Sequence, residues 1–107
     1  MSWFYLILAG LFEIGWPLGF KLSQTTGYKL PFIMLAIISM AFSGWLLWIA
    51  QKAIPIGTAY AVWTGIGAAG TFLIGVFFFK DPAGLLRILS ASLIILGVIG
   101  LKLSHEV

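Results

Sequence analysis

Glu13 is the only charged residue between Trp3 and Phe20, and the chain holds just two other acids, Asp81 and Glu106. Ten residues of helix separate Trp3 from Glu13, about 15 Å, or half the thickness of a bilayer's hydrocarbon core. A carboxylate at that depth is costly unless it is paired, hydrated or protonated, so an isolated one marks a functional site. The chemistry open to it is exchange of protons, cations or both. The two ligands compete, because a neutral acid offers a cation nothing to pair with. Residues three and four away share the helix face of Glu13: Ala9, Gly10, Trp16 and Pro17. Ala9 and Gly10 leave space beside the carboxylate. Trp16 offers an aromatic face. Pro17, lacking an N–H, frees a backbone carbonyl one turn back. A carboxylate beside an indole suits a compact organic cation.

A second group lies in the third apolar run. Tyr60, Trp63 and Thr64 share a face, with Gly67 a turn further. A tyrosine hydroxyl and an indole N–H both serve as polar handles on apolar rings. Ser39 and Ser43 stand four apart in the second run. A serine in a membrane helix commonly bonds the i−4 carbonyl of its own helix, and the alternative is a bond to the site. Trp3, Trp45 and Trp48 fall near segment ends, as interfacial anchors do. Nothing supports an enzyme or a metal centre: there is no cysteine, and the one histidine, His105, stands near the end of the sequence. Gly65-Ile-Gly67-Ala-Ala-Gly70 spells a dinucleotide fingerprint, but inside an apolar run with no preceding strand. No cofactor is expected.

These residues must be held by an all-α membrane protein. With 62% hydrophobic and 8% charged residues in 107, a soluble domain of this size lacks the interior to hide its apolar side chains. Four apolar runs, about 2–22, 30–50, 56–79 and 84–103, each match a transmembrane helix in length, and one four-helix domain covers residues 1–107. The first run carries an acid and lacks a basic start and a small-residue cleavage site, so it reads as a retained helix. Pro82 suits the first turn of the fourth helix. The basic residues stand singly at segment ends, which argues against a nucleic-acid partner. Lys21, Lys29, Lys80 and Arg87 fall on one side; Lys52 and Lys102 fall on the other. Four against two is a weak orientation signal. It is compatible with insertion both ways round, or with one orientation having both termini outside.

Four short helices cannot both enclose an aqueous path and shield it from lipid, and one carboxylate per chain suits a shared site. Both points call for a dimer. Gly57, Ala61, Gly65 and Ala69 repeat every four residues, and Gly97 and Gly100 thin the fourth helix. Small faces of this kind let membrane helices approach closely.

Taken together, Ala-Gly-x-x-Glu-x-x-Trp from Ala9 to Trp16, Pro55-Ile-Gly-Thr-Ala-Tyr-Ala-Val-Trp-Thr-Gly-Ile-Gly67 and Gly97-Val-Ile-Gly-Leu-Lys102 closely resemble the small multidrug resistance family, over essentially the whole chain. Trp16, Trp-Thr-Gly-Ile-Gly and Gly-Leu-Lys resemble its guanidinium exporter subtype. Pro17 departs from that pattern. The resemblance implies an antiparallel, dual-topology homodimer in the bacterial inner membrane. In such a dimer the two copies of Glu13 bind either protons or substrate. It implies proton-coupled export of guanidinium and small substituted guanidiniums, with a broader quaternary ammonium exporter as the alternative. Trp16, Tyr60 and Trp63 would line the site, with Ser43, or Ser39 a turn earlier, supporting Glu13. Gly10 would support the site, and Lys102 matches the family's terminal lysine. Ala61, Gly65 and Gly97 are the candidates for dimer packing. The Phe77-Phe-Phe-Lys-Asp81 ending also resembles members that work as pairs of different subunits, so a heterodimer is the second assembly to test.

Overall fold

The computed structural model describes residues 1–104; His105 and Glu106 lie outside the described residues. It contains four α-helices: α1 (Ser2–Thr25), α2 (Lys29–Ala50), α3 (Ile56–Phe78) and α4 (Leu85–Leu103). All four are long and apolar enough to cross a membrane. Their lengths of 24, 22, 23 and 19 residues correspond to about 28–36 Å of helix, which brackets the hydrocarbon core. The described residues form no strand, as backbone satisfaction in lipid requires of an open chain.

Two ends differ from the sequence expectation. α1 runs three residues past Leu22, through the polar Ser23-Gln24-Thr25. The hydroxyls there bond back onto the helix: Ser23 Oγ to the Phe20 carbonyl at 2.7 Å and Thr25 Oγ1 to the Lys21 carbonyl at 3.1 Å. Thr26 Oγ1 does the same to Leu22 at 2.7 Å and closes the end. At the other turn, Pro82 is not in the first turn of α4. The chain stays irregular through Gly84, which caps the helix, so Pro82 belongs to the connection. Pro17, by contrast, is accommodated inside a continuous α1.

The helices lie side by side rather than in a closed bundle. α1 packs on both α2 and α3, α2 barely meets α3, and the backbone of α4 comes close to that of α3 alone among the described helices. The spatial order is therefore α2–α1–α3–α4, and the result is a slab of 48 × 34 × 17 Å.

Glycines set the spacing. Gly15 and Gly19 of α1 form a small-residue pair facing α2. A Cβ at Gly19 would lie 2.7 Å from the Phe32 carbonyl oxygen, and one at Gly15 would collide with Ser39 Oγ. These two glycines admit α2 at close range. Gly10 of α1 receives Ile66 of α3, and Gly70 of α3 receives Ile14 of α1. The core where α1, α2 and α3 meet is Leu6, Ala50, Ile54, Ala59 and Val62, each at most 1% exposed.

Candidate functional site

Glu13 lies mid-way along α1 and is half-buried. Its side chain rests on the backbone of α3: a Cβ added at Gly67 would lie 2.5 Å from Glu13 Cγ. The room beside the carboxylate therefore comes from Gly67. It does not come from Gly10, whose notch is filled by Ile66 at 2.7 Å from the position of a Cβ, nor from Ala9, which is fully buried. α1 meets α3 through interlocking notches, so a small residue on α1 is filled from across the seam.

From Glu13 a cleft of about 400 Å³ opens between α1 and α3. Trp16 and Pro17 form the α1 wall. Thr64, Gly67, Ala68, Thr71 and Phe72 form the α3 wall, and Asp81 closes the end nearest the α3–α4 connection. Trp16 is steadied by an edge-on contact with Phe20, ring centroids 5.8 Å apart. Thr64 Oγ1 donates to the Tyr60 carbonyl of its own helix at 2.7 Å. Among the described residues no lysine or arginine lines this cleft. The arrangement is a carboxylate at the centre, an indole and a phenyl ring on the walls, and small residues that keep the floor low. Such a site pairs with and stacks on an organic cation.

The serines have a different job from either expectation. Ser43 is fully buried. It does not bond the carbonyl of its own helix; its Oγ donates to the Ala9 carbonyl of α1 at 2.7 Å and accepts from Trp63 Nε1 of α3 at 2.8 Å. One hydroxyl thus joins three helices, one turn above Glu13. Its single proton is committed to Ala9, so within the chain Ser43 ties α1 to α2 and does not donate to Glu13. Ser39 packs into the notch of Gly15. Trp63 faces Ser43 and does not line the Glu13 cleft within one chain, and neither does Tyr60. Tyr60 is 57% exposed, with its ring 5.5 Å from that of Trp63.

The remaining expected residues are spread wider. Lys102 sits at the far end of the slab, its Nζ 5.3 Å from the Trp3 ring centroid. Of the small residues assigned to packing between chains, Gly65 is buried in its own chain. A Cβ there would lie 2.7 Å from Val98 of α4. Ala61 and Gly97 are exposed, and nothing lies within 4 Å of a Cβ at Gly97. A four-residue repeat explains the split. Each step advances 40° beyond a full helical turn, so Gly57 and Ala61 point outward while Gly65 and Ala69 turn inward. Sequence reasoning missed Thr71, Phe72 and Asp81 as cleft residues. Thr71 follows Gly67, and Phe72 follows Ala68, at one-turn spacing, so both were findable. Asp81 was hidden by a turn that folds it back along α3.

The sequence profile of the Small Multidrug Resistance protein family matches residues 1–94. The chain belongs to the small multidrug resistance family. Among the relatives it resembles is a protein of Yersinia pseudotuberculosis named guanidinium exporter. The two are 48% identical over 104 residues, covering 97% of this chain and 99% of that one. Proteins of the same name from Proteus vulgaris and Escherichia coli K12 are 46% and 44% identical, over 97% of this chain and 99% and 98% of theirs. Membership of this family of transporters and the four apolar helices make the chain a multi-pass protein of the bacterial inner membrane.

Proposed function

We propose that this small multidrug resistance protein exports small organic cations, guanidinium foremost, in exchange for protons. The observation that carries the reading is Glu13 standing in an open, aromatic-walled cleft that no basic side chain among the described residues lines. Glu13 takes a proton or a cation, not both, so cation leaving one side is replaced by proton from the other. Guanidinium is planar and permanently charged, pairs bidentately with a carboxylate and stacks on an indole. The names of the relatives point the same way. The working unit is an antiparallel dimer of two copies in opposite orientation, which brings two Glu13 carboxylates and the exposed Tyr60 rings to a shared site. The open slab, with Ala61 and Gly97 unfilled, supports that reading. Two identical copies in opposite orientation make inward-open and outward-open states equivalent by symmetry.

The test is uptake by purified protein in liposomes, run in parallel with guanidinium and tetraphenylphosphonium, with internal pH followed. Guanidinium is expected to be carried with stoichiometric proton counterflow, and its apparent affinity is expected to fall as pH falls, because protons occupy Glu13. Preference for tetraphenylphosphonium reassigns the chain to broad quaternary ammonium export. Activity only with a second, different subunit makes it half of a heterodimer. Affinity independent of pH overturns the shared-site mechanism.

A further inference from the structure

Asp81 is the second acid in the Glu13 cleft. Of the three acids in the chain, both that fall among the described residues line that one space. Its placement is built by the end of α3. Lys80 takes a positive φ of 56°, a conformation uncommon outside glycine, and turns the chain back. The Asp81 N–H then donates to the Gly75 carbonyl at 3.0 Å. The carboxylate lies over Gly75, where an added Cβ would collide with Oδ2. A capping role does not account for it, since α4 is capped at Gly84 with no side-chain bond. Among the described residues no ion pair or hydrogen bond holds the carboxylate, although Lys21 lines an adjoining cleft of about 210 Å³ with it. Thr71 lines both clefts and stands between the two acids.

We infer that Asp81 is a capture site for the organic cation at the mouth of the cleft, from which the cation passes inward to Glu13. The inference rests on the cation-transport reading above. Gly67, beneath Glu13, and Gly75, beneath Asp81, stand eight residues apart in α3, about 12 Å along its axis. A cation leaving bulk water at Asp81 gives up part of its hydration against one charge before it reaches the second. Trp16, Thr71 and Phe72 line the way between them. A carboxylate at the mouth raises the local concentration of cations, and salt screens that effect far more than it screens a buried pair.

The experiment compares guanidinium transport by wild type and Asp81→Asn in liposomes at about 0.01 M and 0.3 M salt. At low salt the variant is expected to raise KM roughly fivefold while the maximal rate changes less than twofold. At high salt the gap is expected to close. Asp81→Glu restores the wild-type value. Gly75→Ala keeps the charge but displaces the carboxylate, so it raises KM by a smaller factor and reports in place of Asp81→Asn if that variant does not fold. An unchanged KM at low salt overturns the proposal, and so does an increase that salt leaves intact. If wild type carries no guanidinium, the function reading fails on its own. The same comparison run with tetraphenylphosphonium then judges Asp81.

Discussion

Two sets of glycines in this slab have opposite fates. On the seams where α1 meets α2 and α3, Gly10, Gly15, Gly19, Gly67 and Gly70 are each filled by an atom of a neighbouring helix. Gly57, Gly97 and Gly100, on α3 and α4, meet nothing within 4 Å. The same residue type serves packing within a chain in one region and stands open in the other. Membrane helices gain little from hiding apolar surface from apolar lipid, so close backbone approach is what a small residue supplies. Filled notches report a contact already made. Open ones, Gly44 of α2 among them, mark surface that the chain's own helices leave uncovered.

The sharpest way to separate the two regions is to silence one without touching the other. Glu13→Gln keeps the shape of the side chain and removes its charge. It is expected to abolish both cation binding and proton exchange, a loss of at least about a hundredfold in transport, given the several kcal/mol a desolvated charge pair carries. Helix content and dimerisation are expected to stay at wild-type levels by circular dichroism and cross-linking. Substantial pH-dependent transport by the variant would remove Glu13 from the mechanism.

Next come paired leucines, one in each region. Gly67→Leu drives a side chain into Glu13. It is expected to destabilise the chain by about 1–3 kcal/mol as overpacking does, with loss of binding. Gly97→Leu meets no atom of its own chain. It is expected to leave the thermal stability of the monomer within about 0.5 kcal/mol of wild type while lowering the dimer fraction in cross-linking. A full dimer population for Gly97→Leu would erase the distinction on the α4 side.

The smallest effects probe the clamp at Ser43. Ser43→Ala strands the buried indole N–H of Trp63 and is expected to cost about 1–2 kcal/mol, whereas Trp63→Phe leaves Ser43 bonded to Ala9 and costs about 0.5–1 kcal/mol. Because the two share one bond, the double variant should fall short of the sum. Unfolding in detergent measures all three. Strict additivity would mean that the clamp does not couple the helices.

Much of this was legible in the sequence. An acid alone in an apolar run announces itself, and four runs near 20 residues leave one class of fold. The glycine pattern was legible only as composition. Periodicity says which residues share a helix face, but not which neighbour that face meets. Gly65 therefore read as surface and Gly10 as open space, although Val98 and Ile66 fill them. Ser43 was singled out, but its partners, 34 positions back and 20 ahead, were set by the order of helices in space. Asp81 read as a loop charge because a single left-handed residue, Lys80, reverses the chain just before it.

The openness of the Glu13 cleft bears on how a newly made chain behaves in the bilayer. Acyl tails solvate a carboxylate badly, at a cost of several kcal/mol at depth, and a slab 17 Å thick cannot wall off its own polar groove. A lone copy must therefore either let water thin the membrane beside it or find a cover. In the proposed dimer, association would be driven less by apolar stickiness than by the need to keep hydrocarbon away from charge. On this account, changing the lipid to one with shorter tails, which admits water more readily, relaxes the demand for a partner.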